Sequence, residues 1–136
     1  HVPLIIHNTE LFPQPVEDKR QSSHLDIMTT AAYLAGVPHT NTTLGRNLFN
    51  SDFDKERYSF VFNYYSEIGE YYLIGEEFFY RYDTVKQGQL YKYKSENPEQ
   101  DVKGEFPEVF ARMVAFASGY MQSSRYLLFN NKKPAQ

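Results

Sequence analysis

The first part of the chain opens on a short apolar run followed by a polar stretch. The run Val2-Pro3-Leu4-Ile5-Ile6-His7 is almost uninterrupted, and a run without alternation is typical of a strand covered on both faces in an α/β layer protein. Residues 8–20 carry Pro13 and Pro15 and no periodicity. The pattern therefore predicts one core strand followed by a loop.

A helix is predicted next, because apolar positions then recur at helical spacing. These positions are Leu25, Met28 and Ala32, joined less regularly by Ile27, Ala31 and Leu34. We predict Ser23 as the N-cap, with Asp26 returning a hydrogen bond to the backbone at the positive end of the helix dipole. Gly36 ends the helix as a left-handed cap, and Pro38 prevents its continuation. Within the polar stretch 41–55, Leu48-Phe49 is predicted as a buried anchor.

From residue 57 onward the sequence becomes rich in strand-forming residues. Strand-forming residues, rich in Tyr and Phe, are concentrated in four stretches: 57–64, 70–74, 77–82 and 89–94. With short turns at Gly69 and Gly88, they predict an antiparallel meander of three or four strands. Pro107 suits the first position of a helix, and the apolar residues of 109–121 recur at helical spacing. We expect this helix to lie across one face of the sheet and residues 130–136 to fray.

Composition narrows the class of protein without naming its activity. The 136 residues are 41% hydrophobic and 23% charged, which is typical of a globular domain with its own core. A net charge of -3 gives no basic face for nucleic acid. The absence of Cys excludes thiol nucleophiles, disulfides and thiolate metal sites. Because the chain opens on His1 at the edge of a predicted core strand, and not on Met, we expect it to be a fragment of a longer protein.

Two stretches resemble the sulfatase-like branch of the alkaline-phosphatase superfamily, which includes arylsulfatases and lipoteichoic-acid-synthase-like phosphoglycerol transferases. The first comprises Val2 to Ile6, Ser23-His24-Leu25-Asp26-Ile27-Met28-Thr29-Thr30, Leu34-Ala35-Gly36-Val37-Pro38 and Leu44-Gly45-Arg46-Asn47-Leu48. The second comprises Leu90-Tyr91-Lys92-Tyr93 and Asn97-Pro98-Glu99. The chain departs from the family pattern at Thr29, where proline is usual, and at Lys92 and Asn97, where aspartate is usual.

The resemblance implies a parent enzyme that hydrolyses or transfers sulfate or phosphate esters. Its nucleophile, a formylglycine or a threonine, and its metal-binding motif would lie upstream of His1, so this chain is expected to be inactive alone. The divalent metal of the parent would be calcium, manganese or zinc. The resemblance also implies a location outside the cytoplasm, in the periplasm or cell envelope, with an inner-membrane anchor on the parent as one alternative.

Four histidines, His1, His7, His24 and His39, are the candidates for chemistry within the chain. None forms the i, i+4 pair of a helical zinc motif, so we predict no metal site among them and no catalytic residue in the chain. His24 is the one candidate substrate-binding residue, because a helix N-terminus attracts anions. Asp26, two residues along the helix, points to a different face and is predicted to act as a capping or packing residue.

The predicted fold class is therefore α/β in two unequal pieces. Residues 1–50 would be the last strand and helix of an alkaline-phosphatase-like α/β domain. Residues 51–136 would be an α+β subdomain, a small antiparallel sheet packed by a long C-terminal helix. The alternative to an enzyme part is a non-catalytic binding or oligomerisation module, which would self-associate through an exposed sheet edge.

Overall fold

The structure is a computed structural model that describes residues 2–53, 56–63, 65–67 and 69–131. Its elements, in chain order, are helix α1 (Leu25–Leu34), a 3-10 turn (Ser51–Phe53), strands β1 (Ser59–Phe62), β2 (Tyr71–Ile74), β3 (Phe79–Asp83) and β4 (Gln87–Tyr91), and helix α2 (Pro107–Asn130). The fold is thus mixed α/β, with a small antiparallel sheet and a long C-terminal helix as predicted. His1, Tyr64 and residues 132–136, which were part of the expectations above, lie outside the described residues.

The four strands form one antiparallel meander in the order β1-β2-β3-β4, as predicted. The predicted turn at Gly88 is wrong, because Gly88 lies inside β4 and the chain turns at residues 84–86 instead. Asp83 closes this turn, since its Oδ1 accepts hydrogen bonds from the backbone N–H groups of Val85 and Lys86 at 2.9 and 2.6 Å. Gly88 has a packing role instead: a Cβ there would lie 3.0 Å from the Phe110 and Tyr80 rings.

α2 lies across one face of the sheet, and the core fills the space between them. Among the described residues, the buried apolar side chains are Leu73, Tyr80, Leu90, Val102, Met113 and Ala117. Leu73 and Leu90 both stand opposite Tyr80 in the strand register, so all three project from one face of the sheet. Around this core, the Phe60 ring stacks on that of Tyr120 at 5.6 Å between centroids. The predicted helix and its first residue, Pro107, are confirmed.

The outer edge of β4 is covered by the segment that follows it. Asp101 forms a bridge with Tyr91, and the Val102 N–H donates to the Leu90 carbonyl at 2.7 Å. The Lys103 ammonium donates to the Gly88 carbonyl at 3.2 Å. These contacts use main-chain groups that an uncovered edge would offer to another chain.

The predicted core strand at residues 2–7 is wrong. These residues form no strand, and Val2 and Ile5 are 76% and 84% exposed. A strand buried on both faces needs a neighbouring strand and two covering layers, and the described sheet contains only the four strands of the meander.

α1 forms where the pattern predicts it, but it buries the opposite face. It ends in a left-handed cap at Gly36, φ +64°, with the Val37 N–H donating to the Ala32 carbonyl, which confirms the predicted stop. Met28, in the predicted apolar stripe, is 73% exposed, whereas Asp26 and Thr30 are fully buried. The predicted anchor also differs, because Leu48 is half-buried and Phe49 is exposed.

Polar contacts join the first part of the chain to the sheet. The Gln21 amide donates to Ser59 Oγ at 2.9 Å, and Ser59 in turn donates to the Ser22 carbonyl. Arg57 Nη2 donates to the Leu48 carbonyl at 3.0 Å. The loop before α1 and the loop after it therefore both lie against the start of β1. Neither helix within the described ranges has the length and apolarity that crossing a bilayer requires.

Candidate functional site

The start of α1 holds the one binding residue that the sequence singles out. His24, and not Ser23 as predicted, is the N-cap; its side chain is exposed and makes no capping hydrogen bond. The predicted return bond is present, because the Ser23 N–H donates to Asp26 Oδ2 at 2.8 Å. The N–H groups of Asp26 and Ile27 already bond to the Ser23 and His24 carbonyls. A carboxylate from the chain itself therefore occupies the positive end of this helix.

Asp26 is the centre of a buried ionic network. Its side chain is fully buried and pairs with Arg46, which is 8% exposed. Oδ1 accepts the Arg46 backbone N–H at 2.7 Å, and Oδ2 lies 3.1 Å from Arg46 Nη2. Both carboxylate oxygens are thus satisfied from within the protein, and Asp26 has a structural role, as predicted. His24 and Asp26 also face differently, one exposed and one buried.

The loop around Arg46 is fixed against α1 by two further residues. Thr30 Oγ1 accepts the Leu48 N–H at 3.1 Å and lies 3.4 Å from the Arg46 carbonyl oxygen, to which it donates. Gly45 passes so close to the helix that a Cβ there would lie 2.0 Å from the Leu25 carbonyl oxygen. We call Asp26, Thr30, Gly45 and Arg46 the α1 clamp. The clamp acts as a structural support, because its polar groups bond to one another, except for Arg46 Nη1, which is buried without a hydrogen-bond partner.

The other candidate histidines lie apart from the clamp. His7 and His39 are both exposed, and His1 lies outside the described residues. In the described part of the chain, no three His, Asp or Glu side chains are placed to hold a metal ion. The described residues thus offer no ligand set for the calcium, manganese or zinc that the resemblance implies for the parent enzyme.

An apolar cleft of about 430 Å³ runs beside α1. It is lined on one side by residues 4–8 with Leu11 and Phe12, and on the other by Ile27, Thr30, Ala31, Leu34 and Ala35. The sequence did not predict it, because it assigned residues 2–7 to a buried strand. The cleft has the lining of an apolar contact surface and lacks the convergent polar groups of a catalytic site.

A second cavity, of about 320 Å³, lies between residues 20–21, the segment 56–58 that precedes β1, the β2–β3 connection and α2. Arg20, Arg57 and Arg112 line it together with Glu56, Glu76 and Glu77. Asp18 stands beside it, and the hydrogen bond from the Arg20 side chain lowers the pKa of the Asp18 carboxyl to about 2. Because cations and anions alternate around this cavity, it has no clear preference for a charged ligand.

The sheet face away from α2 carries an ionic cluster that sequence reasoning missed. Glu70 accepts hydrogen bonds from Arg81, from the Tyr72 hydroxyl at 3.0 Å and from the Asn63 amide at 3.1 Å. These bonds, that of Tyr72 above all, lower the pKa of the Glu70 carboxyl. Backbone N–H donation, mainly from Lys86, lowers that of Asp83. The sequence contained one signal for this cluster: Glu70 and Tyr72, and likewise Arg81 and Asp83, are two residues apart and so lie on the same face of a strand.

No protein-family model matches the chain, and no curated protein is similar to it.

Proposed function

We propose that this chain is the C-terminal part of a sulfatase-like enzyme of the alkaline-phosphatase superfamily, which hydrolyses or transfers sulfate or phosphate esters. Phosphoglycerol transfer is one branch of this activity and hydrolysis of sulfate esters is the other. The observation that carries the proposal is the α1 clamp, where two separate segments of the resemblance meet: the Leu48 N–H donates to Thr30 Oγ1 at 3.1 Å. Residues that define a motif and also bond to one another have a physical reason to occur together.

The second half supports the same proposal in a coarser way. The small antiparallel sheet packed by a long C-terminal helix, which the sequence pattern of residues 51–136 predicts, is compatible with the proposal and does not by itself identify a family. The late motif segment contributes to it, because Leu90 is in the core and Tyr91 forms the bridge to Asp101. In this proposal residues 1–50 complete an alkaline-phosphatase-like α/β domain.

The exposed apolar surface of the first part has a place in this proposal. Val2, Ile5 and Met28 are 76%, 84% and 73% exposed. Burying large apolar side chains such as these would be favourable, because it would remove their apolar surface from water. The large α/β domain of the parent enzyme would cover them. That domain would supply the nucleophile and the divalent metal, and the parent would act outside the cytoplasm. The residues of this chain then position the end of the domain and take no chemical step.

The test is an activity assay of the longer reading frame beside this chain. Both are incubated with p-nitrophenyl sulfate and with a phosphoglycerol lipid, with calcium, manganese or zinc added in turn. We expect turnover in the longer protein alone, and the preferred substrate then identifies the branch. Turnover by the 136-residue chain itself, or a longer frame without activity on either ester, would overturn the proposal.

His24 is tested in the same assay by exchanging it in the longer protein. If His24 contacts the substrate, His24→Ala raises KM, whereas His39→Ala, at an exposed loop position, leaves KM unchanged. An unchanged KM in both variants would remove His24 from the substrate site without affecting the rest of the proposal.

A non-catalytic binding or oligomerisation module is the second candidate, and the apolar cleft beside α1 favours it. In that case the exposed apolar residues serve a partner or a second copy of the chain. Two observations separate the candidates: the oligomeric state of the purified chain, measured by light scattering, and the start of the reading frame. A stable oligomer and a genuine start near His1 support the module.

A further inference from the structure

The last turn and a half of α2 presents large apolar side chains to the solvent. Tyr126, Leu128 and Phe129 are 67%, 79% and 69% exposed. In the same turns, Ser124 and Leu127 are half-buried and continue the inward face of the helix, with Leu128 beside Ser124 at its margin. Tyr126 and Phe129 are three residues apart and are therefore neighbours on the helix surface. The three exposed side chains, which we call the terminal apolar patch, project away from the fold.

The charge of this end differs in sign from that of the rest of the chain. Glu108 is the last acidic residue in the sequence, and residues 109–136 contain four basic residues: Arg112, Arg125, Lys132 and Lys133. Of the 14 basic and 17 acidic residues in the chain, residues 1–108 therefore hold 10 and 17. The terminal segment has a net charge of +4 and the remainder a net charge of -7. Such asymmetry is typical of a segment that meets an anionic surface.

Arg125 is the basic residue next to the patch in the helix. Within the described ranges it has no ion-pair partner, whereas Arg112, further from the patch, is paired with Glu56. Lys132 and Lys133 follow in the sequence one residue after Asn131. The patch is thus bounded by cations on both sides along the chain, and its aromatic members are of the kind that prefer the boundary between water and lipid.

We propose that the end of α2 binds the surface of an anionic lipid bilayer. Tyr126, Leu128 and Phe129 enter the boundary between the headgroups and the acyl chains, while Arg125 pairs with a lipid phosphate and the net positive charge of residues 109–136 adds attraction to the anionic surface. The segment lies on the membrane and does not span it. A purely apolar partner surface on another protein would leave the cations without a counter-charge, and this difference favours the lipid. The inference is independent of the proposed enzymatic function, because it uses no residue of the α1 clamp.

The test is sedimentation of the 136-residue chain with vesicles. One set contains phosphatidylcholine and phosphatidylglycerol, and the other phosphatidylcholine alone. We expect binding to the anionic vesicles that added salt weakens, and little binding to the neutral ones. Phe129→Ser should lower the partition coefficient about tenfold through the lost apolar contact. Arg125→Glu, which keeps the patch intact, should lower it about tenfold by charge reversal.

Val85→Ser is the matched control. Val85 is 72% exposed, like the patch residues, but it lies in the β3–β4 turn and not on α2. Circular dichroism checks that each variant is folded. Equal binding by the wild type, Phe129→Ser and Arg125→Glu would overturn the proposal, and so would equal binding to anionic and neutral vesicles. So would a wild-type dimer that Phe129→Ser converts to a monomer while neither binds vesicles, because the patch would then be a contact between copies.

Discussion

The two helices differ in the kind of side chain that they bury. α2 buries Met113 and Ala117 against the sheet, so its inward face is apolar. α1 buries Asp26 and Thr30, and its apolar residue Met28 is 73% exposed. One half of the molecule is therefore held by a hydrophobic core and the other by the hydrogen bonds and ion pair of the α1 clamp.

This difference determines how each half should respond to change. Apolar burial is non-directional and contributes in proportion to the area removed from water. A buried ion pair depends on both partners, because removing one leaves the other charge buried without compensation. We therefore expect the loss of one clamp residue to unfold the first half locally. A substitution in the core of the second half should instead lower the free energy of unfolding of that half as a whole.

The largest effect is expected for Asp26→Ala, which leaves the guanidinium of Arg46 buried without its carboxylate. The cost should be about 3 to 5 kcal/mol, confined to the first half of the chain. Hydrogen exchange checks this: the amides of Leu25–Leu34 should lose protection while those of the sheet keep it. Asp52→Ala, at an exposed position, is the control. Unchanged protection in α1 would show that the clamp does not hold the helix.

The second largest effect comes from comparing the same substitution, Met→Ala, in the two helices. Met113→Ala should lower the free energy of unfolding by about 3 kcal/mol, because Met113 is 1% exposed and a cavity would remain. Met28→Ala removes the same atoms at a site that is 73% exposed, and it should change the free energy of unfolding by less than about 0.5 kcal/mol. Urea unfolding followed by circular dichroism measures both. A similar cost at the two sites would mean that α1 is covered in solution, as a dimer would cover it.

The same contrast explains how far the fold could be predicted from the sequence. The meander and α2 form from neighbouring segments, and their periodicity therefore carried the information that specifies them. The burial of residues 2–7 depends on partners that no local pattern contains, and that prediction was wrong. The α1 clamp was missed as a contact because Asp26 and Arg46 are far apart in the sequence, although the resemblance included both.

The ionic cluster of Glu70, Arg81 and Asp83 was missed for a different reason. Its members meet only in the correct strand register, and the register depends on where the chain turns. The predicted turn at Gly88 was incorrect, because the hydrogen bonds of Asp83 to the following backbone N–H groups form the turn earlier. A side chain that closes a turn is a weaker signal in the sequence than a glycine.

A substitution at Gly45 tests whether the loop of the α1 clamp lies against the helix. Gly45→Ala places a Cβ against the Leu25 carbonyl, which is main chain and cannot rotate away, so the loop must shift from α1. We expect a loss of about 1 to 3 kcal/mol, typical of overpacking. Gly104→Ala, where a Cβ would meet nothing within 4 Å, is the matched control. Thermal unfolding compares the two variants, and equal midpoints would mean that the loop does not lie against the helix as described.

The smallest effect is a dependence of stability on pH that belongs to the sheet half. The pKa values of the Glu70 and Asp83 carboxyls are lowered from the ordinary 4.5 and 3.8, chiefly by the Tyr72 hydroxyl and by the Lys86 backbone N–H. The folded state thus prefers the charged forms. Their contribution is complete above the ordinary values and is lost as the pH falls through the lowered ones. Stability should therefore be level from neutral pH down to about 5 and decline in more acidic solution.

Glu70→Gln tests whether this decline comes from the cluster. The amide cannot ionise, so the variant should be slightly less stable than the wild type at neutral pH and should lose less on acidification. Glu99→Gln, at an exposed position outside the cluster, should keep the full decline. Urea unfolding at a series of pH values measures both. If Glu70→Gln retains the wild-type decline, the acid sensitivity belongs to other carboxyls, with Asp18 of the first half the next to exchange because its pKa is about 2.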